Sequence, residues 1–70
     1  MNNCHQAPRS LAVGTRLESC GTVIEVRQTY TEQPGRQTVR VSYPQYGPDV
    51  VQEWYDVEDD ILGAGWRVAT

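Results

Sequence analysis

Apolar and polar residues alternate with a period of two over much of this chain, a pattern typical of β-strands that bury one face and expose the other. The predicted strands are a short one between a loop at 14–16 and a turn at 19–21, then 21–30, 38–43 and 50–55, and a last one at 66–68. In the second strand, Ile24, Val26 and Tyr30 are predicted to share the buried face. No stretch of ten residues has a helical period, so we expect an all-β protein.

Turn-forming residues separate these strands. Residues 34–35 are Pro-Gly, which is typical of a type II turn because proline presets φ and the following glycine allows a positive φ. Residues 44–49 contain two prolines and a glycine and are predicted to form a loop. Residues 56–60 lack strand character. We predict one 3₁₀ turn there, with Val57 and Ile61 as its apolar anchors.

The N-terminus differs from the rest of the chain. Residues 1–11 are polar and show no apolar period, so we predict a flexible N-terminal arm over 1–11 and one β domain over 12–70. The N-terminus lacks the basic and apolar regions of a secretion signal, and no apolar run is long enough to span a membrane. A cytoplasmic location follows as a prediction, and Cys4 and Cys20 are then expected to be free thiols.

Length, charge and histidine content limit the classes of function that the chain can have. The formal net charge of the 70 residues is −3 and every basic residue is an arginine, which disfavours nucleic acid as a partner. The only histidine, His5, lies in the predicted arm, where no base is held rigidly beside a nucleophile. We therefore expect no enzyme activity, cofactor or metal site. The core of so short a chain is thin, which makes a homodimer plausible.

Four motifs occur in an order that resembles SH3-like barrels, in particular Tudor and KOW modules. They are VGTRL at 13–17, GTVIEV at 21–26, VRVSY at 39–43 and EWYDVEDDI at 53–61. The resemblance covers residues 13–62 and implies a small five-stranded SH3-like barrel with a 3₁₀ turn before the last strand. The Ala-Leu-Tyr-Asp-Tyr motif of peptide-binding SH3 domains is absent, so their proline-rich ligand is not implied.

A group of aromatic residues near the ends of two predicted neighbouring strands is the first candidate contact surface. It comprises Tyr43, Tyr46, Trp54 and Tyr55, with Glu53 and Asp56 close in sequence. Tudor-like barrels bind methylated cations in an aromatic cage with an acidic rim, and the resemblance implies the same option here. The competing interpretation is that Tyr43 and Trp54 fill the thin core while Tyr46 covers its edge.

An acidic run is the second candidate surface. Its members are Asp56, Glu58, Asp59 and Asp60. Such a run is usually a solvated turn, and its functional interpretation is a negative patch that binds a basic partner. Small acidic inhibitors or regulators from phages and mobile elements act in this way.

An enzyme is the third hypothesis. Residues 51–55 resemble the Val-Gln-Ile-Tyr stretch of plasmid-borne type II dihydrofolate reductases, which are SH3-like barrels of similar length. Their substrates are anions and their pore carries a lysine, whereas this chain has no lysine and places Glu53 in that stretch. The function that the sequence favours is a non-enzymatic interaction module that binds a protein or peptide through the aromatic residues around Tyr46 and Trp54.

Overall fold

The computed structural model describes residues 5–6, 10–47 and 52–69, with the backbone alone at residues 5, 6 and 52. The strands are β1 His5–Gln6, β2 Arg16–Ser19, β3 Thr22–Gln33, β4 Arg36–Ser42, β5 Gln52–Asp56 and β6 Arg67–Val68. They form one antiparallel sheet in the order β1-β6-β2-β3-β4-β5. The prediction of an all-β fold is confirmed. The five predicted strands correspond to β2 to β6, and β1 extends the sheet beyond β6.

Two short helical turns interrupt the strands, and they refine the prediction in different ways. The predicted loop after β4 begins with a 3₁₀ turn, Pro44–Tyr46. The predicted 3₁₀ turn before the last strand is instead a π-helical turn, Val57–Leu62. A three-residue period would align Val57 with Asp60 and bury a carboxylate, whereas the wider turn buries Val57 together with Ile61. The prediction of these two residues as apolar anchors is confirmed.

A β-bulge changes the face on which β3 exposes its side chains. Val26 pairs with Val41, but Gln28 pairs with Arg40, so Arg27 is the extra residue between them. The extra residue shifts the alternation by one position, because successive strand side chains point to opposite faces. The prediction that Tyr30 shares a buried face with Ile24 and Val26 is therefore wrong, and 58% of Tyr30 is exposed.

The hydrophobic core lies on one face of the sheet, which we call the inner face. Its buried members are Leu11, Leu17, Ile24, Val26, Val39, Val41, Val57 and Ile61. Leu11 falls within the predicted flexible arm, yet it is held in place by a buried side chain of β4. Gln37 Oε1 accepts a hydrogen bond from the Leu11 N–H at 2.8 Å, and Gln37 Nε2 donates one to the Leu11 carbonyl at 3.0 Å. Residues 1–4 and 7–9 of the arm lie outside the described residues.

Two hairpin turns contain a glycine with a positive φ, and the one at 34–35 agrees with the sequence prediction. Gly35 has φ of 77°, as the third position of a type II turn requires. Cys20 and Gly21 join β2 to β3 with φ of 51° and 83°, and positive values at both central positions define the type I′ turn of tight hairpins. Cys20 is exposed and is a free thiol, as predicted, while Cys4 lies outside the described residues.

Candidate functional site

Tyr43 and Tyr55 are brought together by the pairing of β4 with β5. Tyr55 lies opposite Val39 on the inner face of β5, and Tyr43 follows β4 in the same alternating series as Val39 and Val41. Both tyrosines are half-buried and pack against the core. Their hydroxyl groups are hydrogen-bonded to each other. The pair therefore combines half-buried rings with hydroxyl groups that lie at the margin of the core.

Tyr46 joins this pair from the 3₁₀ turn. Pro44 occupies the first turn of that helix, where its missing N–H is tolerated, and Gly47 closes it by donating to the Pro44 carbonyl at 3.1 Å. The turn places the Tyr46 ring 6.0 Å from the Tyr43 ring, at an interplanar angle of 40°. This is within the range of favourable aromatic pairs. Because 61% of Tyr46 is exposed, its ring is available to a partner.

Glu53 supplies a negative charge beside these rings. It lies opposite Val41 on the inner face of β5, two residues before Tyr55, and it is exposed. Partial burial raises the pKa of Tyr55 above its usual range, and the Tyr43 hydroxyl and then Glu53 raise this pKa further. We call Tyr43, Tyr46, Tyr55 and Glu53 the tyrosine cluster. Its electron-rich rings and carboxylate suit a cation rather than an anion.

The raised pKa of Tyr55 predicts a loss of stability in alkaline solution. The folded state holds the phenolic proton more tightly than the unfolded state does, so this contribution is intact below pH of about 10 and disappears as the pH rises further. Thermal unfolding of the parent and of Tyr55→Phe is measured across this range. We expect the free energy of unfolding to fall less steeply in Tyr55→Phe, with Tyr30→Phe as the exposed control. If the free energy of unfolding falls equally steeply with pH in the three proteins, the pKa of Tyr55 is not raised in the folded state.

Trp54 lies apart from the tyrosine cluster. It pairs with Arg40 on the opposite, outer face of the sheet, because strand neighbours alternate between faces. The interpretation of Trp54 as a core residue is wrong, since 48% of it is exposed. The interpretation of Tyr43 as core is correct in part, because its ring packs on the core while its hydroxyl reaches Tyr55.

The acidic run is engaged within the molecule. Arg36, at the start of β4, lies 3.0 Å from Asp56 Oδ2, 3.0 Å from Asp59 Oδ2 and 3.4 Å from Glu58 Oε2. These ion pairs join the β3–β4 hairpin to the π-helical turn. They are partly exposed, so each contributes little alone, although a shared arginine can act as a network.

Two of the acidic residues also cap the π-helical turn. Asp56 Oδ2 accepts a hydrogen bond from the Asp59 amide at 3.0 Å, and Asp60 Oδ2 accepts one from the Asp56 amide at 2.9 Å. This reciprocal arrangement resembles a capping box and satisfies amides that the turn leaves unpaired. The acidic run therefore has a structural role that accounts for much of its charge.

Arg36 is the residue whose role the sequence did not indicate. Arg27, Arg36 and Arg40 all lie near the 34–35 turn in sequence, and nothing in the pattern distinguishes Arg36 from the other two. The available signal was the spacing of opposite charges, with Arg36 directly after the hairpin turn and four carboxylates at least 20 residues later. Such a signal identifies a partner only once the pairing of β4 with β5 is known.

A separate depression lies on the outer face of the sheet. Its volume is about 300 Å³, and it is lined by Arg16, Glu25, Arg27, Ser42 and Pro44. An ion pair crosses it, with Arg16 Nε 2.9 Å from Glu25 Oε1. In the described part of the chain, no three histidine, cysteine, aspartate or glutamate side chains are grouped to hold a metal ion. No helix among the same residues has the length and apolar character to cross a membrane.

No protein-family model matches this chain, and neither a curated protein nor a solved structure is significantly similar to it. Its function must therefore be inferred from the arrangement of its own residues.

Proposed function

We propose that this protein is a non-enzymatic interaction module of the SH3-like type, which binds a protein or peptide partner through the tyrosine cluster. The segment recognised would present a basic side chain, either an arginine or a lysine, free or methylated. The observation that carries the proposal is the convergence of three tyrosine rings and one exposed carboxylate from two separate segments of the chain, residues 43–46 and 53–55.

The strand order supports the SH3-like part of the proposal. Strands β2 to β5 follow one another as an antiparallel meander, and the helical turn Val57–Leu62 then leads the chain to β6, which pairs with β2. SH3-like barrels have the same path, in which a short helical turn brings the last strand beside the first. The motifs at 13–17, 21–26, 39–43 and 53–61 fall in the corresponding places.

The chemistry of the cluster supports a basic ligand. A cation that lies over a tyrosine ring is attracted by the ring quadrupole, by about 0.5–1 kcal/mol at exposed sites and more where water is excluded. Tyr43 and Tyr46 supply two neighbouring ring faces and Glu53 supplies the opposite charge. Tyrosine is also one of the residue types enriched at interface hot spots.

The acidic run supports an inhibitor-like function less well. Arg36 neutralises part of its charge, and capping of the π-helical turn occupies two of its carboxylates. Asp59 pairs with Arg36, yet its side chain remains 72% exposed and can still contact a partner. A peptide titration of single-residue variants can therefore compare the acidic run with the tyrosine cluster.

Replacement of Tyr46 is the direct test. Short peptides that contain arginine, lysine or trimethyl-lysine, and a glutamate peptide of equal length, are titrated into the protein by calorimetry. We expect a basic peptide to bind the parent and Tyr46→Ala to bind it at least tenfold more weakly, because an aromatic anchor commonly contributes about 2 kcal/mol. The melting temperature should be nearly unchanged, since Tyr46 is mostly exposed.

Two matched variants make the result specific. Tyr46→Phe keeps the ring face and should bind almost as well as the parent, whereas Tyr30→Ala removes an exposed tyrosine from the outer face and should have no effect. Asp59→Asn should change binding less than Tyr46→Ala does. If Asp59→Asn weakens binding and Tyr46→Ala does not, the contact is the acidic run and the proposal is wrong.

A further inference from the structure

We propose that β5 is the interface through which a second copy of this chain adds to the sheet, in an antiparallel pairing centred on Trp54. In the described residues β5 pairs with β4 on one side and forms the edge of the sheet on the other. Unpaired strand edges readily recruit another strand. This proposal concerns assembly and does not depend on the peptide-binding function proposed above.

The hydrogen bonds of Asp56 show which residues face the free edge. The Asp56 amide donates to Asp60 Oδ2 rather than into the ladder with β4. Amide directions alternate along a strand, so the amides of Trp54 and Gln52 also point away from β4. Trp54 is thus the central residue of this edge, and its N–H and carbonyl are both directed away from β4.

The charges along β5 select one register for a two-fold pairing. A two-fold axis at Trp54 places each Trp54 opposite Trp54 of the second copy, Glu53 opposite Tyr55 and Gln52 opposite Asp56. No like charges then face each other. An axis at Glu53 would oppose the two Glu53 carboxylates, which is destabilising. Because the pairing is two-fold, every contact between two different residues occurs twice and the assembly closes as a dimer.

The exposed Trp54 ring gives this edge an apolar contact. It is 48% exposed on the outer face, and the two-fold axis brings two such rings together. Cross-strand aromatic pairs contribute favourably to sheet pairing, and aromatic residues are enriched at protein interfaces. Residues 53–56 contain no lysine or proline, which are residues that often prevent pairing at strand edges.

Sedimentation velocity of the full chain over a range of concentrations tests the dimer. We expect the parent to dimerise and Trp54→Lys to dimerise at least tenfold more weakly, because two ammonium groups would face each other across the axis. Tyr30→Lys is the matched control, since Tyr30 is an exposed aromatic of the same face on β3, beyond the residues of β3 that pair with β2. It should dimerise like the parent. A parent that stays monomeric up to about 1 mM would contradict the proposal.

Disulfide trapping tests the register. Cα atoms of directly opposed, hydrogen-bonded residues lie about 5.5 Å apart, which is within the range of a disulfide. With Cys4 and Cys20 replaced by serine, Trp54→Cys should form an intermolecular disulfide in mild oxidant and Tyr30→Cys should not. Equal crosslinking of both variants would overturn the register. Tyr46→Ala should dimerise normally, so failure of the dimer and failure of the peptide-binding proposal are separate outcomes.

Discussion

Replacing Ile61 by alanine is expected to lower the free energy of unfolding by about 3 kcal/mol. Ile61 is completely buried and, with Val57, fixes the π-helical turn that leads the chain from β5 to β6. Truncation removes apolar contacts and leaves a cavity, and such changes commonly destabilise by about 2–5 kcal/mol. This is a large part of the stability of a domain this small. Urea unfolding followed by circular dichroism measures the effect.

An exposed apolar residue supplies the control. Val13 is 63% exposed in the turn before β2, and Val13→Ala should change the free energy of unfolding by no more than about 0.5 kcal/mol. Similar losses in Val13→Ala and Ile61→Ala would show that the core is not arranged as described. If Ile61→Ala is too unstable to study, Ile61→Val should still show a loss of about 1 kcal/mol.

Replacing Gln37 by alanine is expected to have the next largest effect, about 2–4 kcal/mol. Its side chain satisfies both backbone groups of the buried Leu11, and an unsatisfied buried donor or acceptor costs about 1–3 kcal/mol. The exposed Gln28 of β3 is a control of the same residue type, and Gln28→Ala should have little effect. Amide hydrogen exchange at Leu11 should be slow in the parent and fast in Gln37→Ala.

A glutamate at position 37 separates hydrogen bonding from packing. Gln37→Glu keeps an acceptor for the Leu11 amide, but an ionised carboxylate cannot donate to the Leu11 carbonyl. Burial should raise the pKa of this new carboxyl in the folded state. The variant should therefore be closest to the parent below pH of about 4.3 and become relatively less stable as the pH rises. A pH-independent difference from the parent would favour packing alone.

Much of the fold follows from the strand pattern, but two local features, the bulge in β3 and the burial of Leu11, do not. The alternation around Val39 and Val41 and the apolar anchors Val57 and Ile61 are visible in the sequence because each reflects a regular period. The bulge at Arg27 breaks that period by a single residue, and the break exposes Tyr30. Similarly, the burial of Leu11 depends on a glutamine 26 residues away. No local pattern encodes either feature.

The sequence predicted which residue types form the candidate site, but not which of those residues lie together in the structure. The sequence grouped four aromatic residues and four acidic ones because they are close along the chain. The sheet then divides the aromatic group, since Trp54 and Tyr55 are consecutive in a strand and face opposite sides. It also brings Arg36 to the acidic run, a contact that spans at least 20 residues of sequence. Both effects arise from strand pairing.

The most direct test of the tyrosine cluster as the contact surface is a nuclear magnetic resonance titration of the isotopically labelled protein with the basic peptide that binds best. If the tyrosine cluster is the contact surface, the largest chemical-shift changes should occur at Tyr43, Tyr46, Glu53 and Tyr55. Changes at Asp59 and Asp60 should be small. The changes should persist in moderate salt, because contacts to aromatic rings are screened less than contacts between exposed charges. Changes confined to the acidic run and abolished by salt would contradict the account.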